Sequence, residues 1–312
     1  MGCIGPTIVM TFGDIFAMRL VTFKDSKGQR IGVELVDTCE IVDLSVGTRL
    51  PQSMLAFIAL GATGLRRARR AVNSGQGRLP AASVQLLAPI PRPAKNILCV
   101  GKNYFEHAKE FHQSGFDSSA GADAVPELPI IFTKWPNSVI GPGDVIPSAN
   151  DYTHSVDYEG ELTVVMGEGG RHISQADAYR HVYGYTIIND VTARTLQNQH
   201  KQWFFGKSLD GFCPMGPCIV TADEIGDVTQ RRLTTRVNGE LRQNSLVNQL
   251  IFDIPRLIAD LSRIMTLEPG DLIATGTCAG VGIGFNPPKF LRAGDHVAIT
   301  IEGIGTLENP VS

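Results

Sequence analysis

The sequence predicts an α+β chain that is mainly β, with a small N-terminal α+β domain ahead of a larger strand-rich one. Three features carry this prediction. Strand-type segments outnumber helical ones beyond residue 95, a short meander followed by a helical stretch occupies 18–74, and three prolines crowd into Pro89-Ile90-Pro91-Arg92-Pro93.

Residues 1–17 read as an N-terminal extension, because Met18-Arg19-Leu20-Val21-Thr22-Phe23 already opens a strand. The start Met1-Gly2-Cys3 hints at acylation, but Pro6 stands where a myristoylation signal needs Ser or Thr. Segments 19–23, 31–35 and 40–44 form the meander, broken by turns at Asp25-Ser26-Lys27-Gly28 and Asp37-Thr38. Residues 51–74 read as one or two helices. The prolines that follow block both helix and sheet-centre pairing, so the domain boundary falls there, with 18–90 before it and 95–312 after it. Strands are expected at 97–100, 130–134, 161–166, 183–189, 232–237, 271–274 and 296–301. Ser174 caps a helix over 175–181, with Asp177 completing a capping box. A second helix starts at Asp253 and Pro255 and ends before Glu268-Pro269-Gly270. Its buried face carries Ile254, Leu257, Ile258, Leu261, Ile264 and Met265. Residues 112–129 are small and polar without a period, which reads as a functional lid segment.

Composition narrows the classes of function. With 28 basic and 31 acidic side chains the formal charge is −3, and Arg66-Arg67-Ala68-Arg69-Arg70 reads as a solvated helix face, so nothing asks for nucleic acid. Six cysteines without a C-x-x-C pair read as reduced thiols. No apolar run approaches the roughly 20 residues that span a bilayer, and no basic secretory start is present. A cytoplasmic protein is expected, or a mitochondrial one in a eukaryote.

The densest chemistry lies in Val156-Asp157-Tyr158-Glu159-Gly160-Glu161-Leu162. On a strand, residues two apart share a face, so Glu159 and Glu161 would repel one another unless a cation lay between them. Asp190, at the end of the apolar run 183–188, can supply a third carboxylate. Oxygen-only ligands suit a hard ion: Mg²⁺, Mn²⁺ or Ca²⁺. Taken alone, however, the E-x-E pair reads first as an exposed strand face.

Its context changes that reading. The chain carries, in order, Gly101-Lys102-Asn103-Tyr104-Phe105-Glu106-His107-Ala108-Lys109-Glu110, the Glu159/Glu161 segment, Asp190-Val191-Thr192-Ala193-Arg194-Thr195-Leu196-Gln197, Trp203 to Pro217, Val237-Asn238-Gly239-Glu240 and Thr275-Gly276-Thr277-Cys278. This series resembles the fumarylacetoacetate hydrolase family over about 95–308. The resemblance implies a twisted mixed β-roll, a homodimer, and Mg²⁺ or Mn²⁺ held by Glu159, Glu161 and Asp190. It makes His107 and Glu110 a water-activating pair and Lys207 the active-site lysine. Arg194 and Gln197 match substrate-contacting positions, Lys134 matches a lysine common in the family, and Thr277 lies in the pocket turn. Two departures, Thr195 for an aspartate and Cys278 for a proline, bear on substrate choice.

Tyr104 reads as pocket lining or as core, and Lys134 as a substrate contact or an exposed strand end. Trp203, Phe204 and Phe205 read as core and pocket wall. His112, His154, His172, His181, His200 and His296 read as surface or core residues, and the glycine-rich 276–284 stretch, with no helix after it, is no dinucleotide fingerprint. The expected reaction is metal-dependent cleavage of a C–C bond in acylpyruvate-type 2,4-diketo acids. Metal would stabilise the enolate, His107 would activate water, and Lys207 would neutralise an oxyanion beyond the reach of the metal. Oxaloacetate decarboxylation and 2-hydroxydienoate isomerisation need the same enolate stabilisation and compete with it. A metal-stabilised binding protein without turnover is the rival from another class.

Overall fold

A computed structural model of the chain describes residues 18–117 and 124–312. The expected extension 1–17 and part of the 112–129 segment lie outside the described residues.

The body is a twelve-stranded mixed sheet. Ten strands run across it in spatial order, Arg78–Pro80, Glu40–Asp43, Gly28–Leu35, Arg19–Asp25, Cys213–Thr221, Val182–Asn189, Gly160–Met166, Leu272–Thr277, Ile97–Gly101 and Ile130–Lys134, while Gln85–Leu87 pairs with Arg19–Asp25 and Val139–Ile140 with Cys213–Thr221 beside this path. Most neighbours are antiparallel, but Leu272–Thr277 runs parallel to Ile97–Gly101, as expected where the chain crosses over between them. A second, four-stranded sheet packs Glu240–Leu246, Arg232–Val237, His296–Ile301 and Gly305–Pro310 in that order. The mainly β, α+β class expected from the sequence is what forms.

The proline-rich stretch does not separate two sheets. Arg19 and Leu20 pair with Val220 and Ile219 of the Cys213–Thr221 strand, so the N-terminal meander extends the central sheet. Thr22 donates to the Pro89 carbonyl at 2.6 Å and Ile90 is buried, which seats the linker against the meander. One apolar cluster joins Leu20, Val33, Val42 and Phe57 to Cys99, Ile188 and Met215.

Two helical expectations change. Over 175–181 only one tight turn forms, Ala178–His181: Ser174 accepts from the Asp177 amide at 3.2 Å, yet the backbone becomes extended at Val182 to join the sheet. The Ile254–Ile264 helix starts as expected, with Asp253 accepting from the Arg256 amide at 2.9 Å and Pro255 in its first turn. Leu257, Ile258 and Leu261 are buried, but Ile264 is 70 % exposed because the chain turns extended at Met265 and the buried face ends there.

Candidate metal centre and active site

The central strand of the sheet carries the site. Glu161 lies on Gly160–Met166, paired across to Ile188 on one side and Thr277 on the other. Glu159 stands in the break between the short strand Val156–Asp157 and Gly160–Met166, so its placement does not follow from simple strand alternation. The Asp190 amide donates to the Glu159 carbonyl at 2.8 Å, which brings the end of Val182–Asn189 beside the break. Gly160 between the two glutamates is required by space: a Cβ there would lie 2.5 Å from Thr235 Oγ1 of the second sheet.

One oxygen from each of Glu159, Glu161 and Asp190 lies within 4.8 Å of the others, and all three residues are buried. Basic side chains from other elements reach this cluster. Lys207 Nζ lies 2.7 Å from Glu159 Oε2 and 2.8 Å from Asp190 Oδ2. Lys134 Nζ lies 2.7 Å from Asp190 Oδ1 and also donates to the carbonyls of Val191 and Lys207. Arg194 places NH2 2.7 Å from Glu159 Oε1. Lys207 thus contacts the carboxylates directly, and of the two readings of Lys134 the exposed strand end is ruled out, since the residue is fully buried.

The charges titrate unequally. Burial pushes the Glu159 carboxyl up, but Lys207 and Arg194 outweigh it and hold the group below the usual carboxylate range. Glu161 goes the other way. Burial, then Asp190 and Glu159, raise it well above that range, and the Gly276 amide at 2.9 Å offsets this only in part. Gly276 adopts φ +106 to present that amide, a left-handed backbone that a side chain would strain.

These residues fit a hard divalent cation. The donor set is all carboxylate, buried, and converges from three separate backbone positions. Glu159, Glu161 and Asp190 would hold the ion.

His107 and Glu110 sit one turn apart on the Phe105–Gln113 helix, with His107 Nδ1 3.1 Å from Glu110 Oε2. Glu110 Oε1 accepts from the Gly280 amide at 2.9 Å, so the glycine-rich turn orients the carboxylate that orients the histidine. His107, Glu159, Glu161, Arg194, Gln197, Lys207 and Thr277 line one narrow cavity, whose apolar wall includes Phe111, Phe132 and Trp203. The Lys207 ammonium lies 5.0 Å from the Phe132 ring centre.

Several of the residues expected to contact substrate are also held by partners within the protein. Arg194 is consumed by carboxylates, with Nε 2.9 Å from Asp157 Oδ2, and its NH1 donates to Gln197 Oε1 at 3.3 Å. Thr277 donates to the Gly160 carbonyl at 3.0 Å and accepts from Gln243 Nε2 at 2.7 Å. Tyr104 is buried in the core, away from the cavity wall, with a hydroxyl that finds no hydrogen-bond partner. Phe204 and Phe205 are 40 % and 60 % exposed, so only Trp203 of that trio lines the cavity.

Two residues without an expected role tie the site together. Asp157 accepts from Arg194, from the Gly282 amide at 2.6 Å and from the Ile283 amide at 3.2 Å, linking the Glu159/Glu161 segment to the turn behind Glu110. Its period-two spacing with Glu159 and Glu161 is the signal that could have marked it. Gln243 accepts from the Gly160 amide at 3.0 Å and donates to Thr277, and nothing local in sequence marks it, because it arrives from the other sheet.

Comparison with known proteins agrees with this geometry. The fumarylacetoacetate (FAA) hydrolase C-terminal family model matches residues 96–312. The chain is 47 % identical over 293 residues to oxaloacetate tautomerase YisK of Bacillus subtilis (strain 168), covering 89 % of this chain and 94 % of that protein. It is similar to the solved fumarylacetoacetate hydrolase of Exiguobacterium antarcticum, with TM-score 0.80 and 43 % identity over 95 % of this chain and 99 % of that one. A maleylpyruvate hydrolase from Sphingobium sp. SYK-6, solved with manganese(II) and pyruvate, matches with TM-score 0.75 and 33 % identity over 94 % of this chain and 98 % of that one. Because sequence and fold agree through the meander as well as the strand-rich body, this chain belongs to the fumarylacetoacetate hydrolase family.

Proposed function

We propose that this protein is a divalent-metal enzyme that interconverts the enol and keto forms of oxaloacetate or a closely related 2-keto acid. The observation that carries the reading is a buried histidine, oriented by a carboxylate, in a cavity that Glu159 and Glu161 of the convergent carboxylate triad also line. Likeness to an oxaloacetate tautomerase over nearly the whole chain supports it. When bound, Mg²⁺ or Mn²⁺ supplies a Lewis acid for the oxygen that becomes negative in the enolate.

The chain's own groups perform the proton transfer. With Nδ1–H donating to Glu110, His107 keeps Nε2 as the base. In the keto-to-enol direction the C3 proton passes to His107 Nε2, and the imidazolium so formed gives that proton to the C2 oxygen; the reverse direction retraces both transfers. Lys207 and Lys134 compensate the ligand carboxylates, and Arg194 fixes Glu159 through its bond to Asp157. Phe111, Phe132 and Trp203 restrict water, which favours proton return over solvent exchange.

A second reading, C–C hydrolysis of acylpyruvate-type acids, is favoured by the same dyad, which can deprotonate a water, and by the maleylpyruvate hydrolase likeness. The deciding experiment follows enol–keto conversion of oxaloacetate beside cleavage of acylpyruvates and maleylpyruvate, with Mg²⁺, with Mn²⁺ and with EDTA. Tautomerisation that EDTA abolishes, with cleavage at background, is expected. Cleavage outpacing tautomerisation would replace the first reading with the second. We also read the working form as a homodimer in the cytoplasm; exposed Trp135, Phe204 and Phe205, with Trp135 and Phe204 rings 6.2 Å apart, support an interface. A monomeric mass by light scattering would refute the dimer.

A further inference from the structure

We propose that Lys102 determines specificity by reading the second carboxylate of a dicarboxylic 2-keto acid, an inference that rests on the 2-keto acid reading above. Lys102 follows the Ile97–Gly101 strand, is 5 % exposed and lines the cavity with His107, Glu159 and Lys207. Its backbone is left-handed, at φ 55. A side-chain-bearing residue holds that conformation at a cost, and such outliers gather at ligand-binding sites.

The other cations around the site have carboxylate partners within the metal-ligand cluster and its support. Lys207 pairs with Glu159 and Asp190, Lys134 with Asp190, and Arg194 with Asp157 and Glu159. Lys102 instead meets Asp117 at 2.9 Å, and Asp117 comes from the segment just after the helix that carries His107. Asp117 also lies 3.3 Å from His112. A carboxylate of the chain itself therefore rests on a cavity lysine.

A 2-keto acid held by its carboxylate and keto oxygen at the triad projects its remaining end into the cavity. If that end is a second carboxylate, it needs a cation inside a poorly solvated space. Lys102 meets that need by taking the ligand carboxylate in place of Asp117. A monocarboxylic acid leaves the Lys102–Asp117 pair in place and gains nothing from it. Lys102 thus acts on the choice of ligand and leaves the proton transfer at His107 untouched.

The test is binding of pyruvate and of oxaloacetate to the Mg²⁺-loaded full chain by calorimetry, for wild type, Lys102→Gln, Lys102→Arg and Asp117→Asn. Wild type should prefer oxaloacetate. Lys102→Gln should weaken oxaloacetate about 10- to 100-fold, the loss of one charge-assisted contact, and leave pyruvate within about two-fold. Retained pyruvate affinity in that variant shows that the cavity has folded. Lys102→Arg should restore part of the preference, and Asp117→Asn, which removes the internal competitor, should tighten oxaloacetate and not pyruvate. If Lys102→Gln weakens both ligands equally or neither, or if Asp117→Asn loosens oxaloacetate, the inference is overturned and the 2-keto acid reading stands. If wild type binds neither ligand and does not turn over oxaloacetate, that reading falls and takes the inference with it.

Discussion

Glu159 and Glu161 of the carboxylate triad and His107 of the dyad line one cavity, but the two groups are built differently. Glu161 is part of the central strand of a twelve-stranded sheet, and Asp190 ends its neighbour, so their backbones are held by ladders on either side. The dyad rides on a single nine-residue helix whose Phe105 is 49 % exposed, anchored by Phe111 packed edge-on to Trp203 and by the Gly280 amide on Glu110. The sheet thus holds the carboxylates through its ladders, whereas the histidine is held through the side-chain contacts of one helix.

The largest effects should come from the triad. Glu161→Ala and Asp190→Ala should both abolish metal binding and reduce turnover to background, yet they should part in stability. Asp190 pairs two buried lysines, so its removal leaves Lys134 and Lys207 short of a partner and should cost about 3–5 kcal/mol. Glu161 has no such cationic partner at contact distance among the described residues, so Glu161→Ala should melt close to wild type in the absence of metal. Equal melting temperatures for the two variants would show that the lysines are not held by Asp190.

Next comes the dyad. His107→Ala should lower turnover by about 10²–10⁴-fold, the range for a general base, without changing metal affinity measured by titration. Loss of metal in that variant would erase the distinction between the two regions. Asp157→Asn should fall between them, because Asp157 touches both Arg194 and the turn behind Glu110. A drop of about 10- to 100-fold in metal affinity or activity is expected for such a support residue. Wild-type values for both quantities would leave the triad and dyad uncoupled.

The smallest effect concerns protons. Burial and the neighbouring Asp190 and Glu159 keep the metal-free Glu161 protonated to a pH above the ordinary carboxylate range. A raised folded-state pKa contributes stability below the unfolded value and loses it as pH rises through the folded one, so metal-free protein should be steadier on the acid side of that window. Metal must expel the proton, and its apparent affinity should therefore climb with pH across the same window. Calorimetry of Mg²⁺ binding in buffers of differing ionisation enthalpy would count the released protons, and none released would mean that Glu161 is already ionised.

Much was legible in the sequence. Strands form at 130–134, 232–237 and 296–301 as expected, and the ordered motifs bring Glu159, Glu161, His107 and Lys207 to one cavity. What the linear chain determined by itself was therefore the class of fold, from its local patterns, and, through the ordered motifs that resemble one family, which carboxylates and which histidine to expect together. The tertiary structure decided the rest. The meander joins the central sheet because a strand edge at Cys213–Thr221 lies open to it, a pairing that no proline-rich linker announces. Arg194, Lys134 and Lys207 converge on the carboxylates, and Gln243 clamps Gly160, because long-range burial forces every charge and amide to find a partner, and the identity of that partner depends on which strands become neighbours.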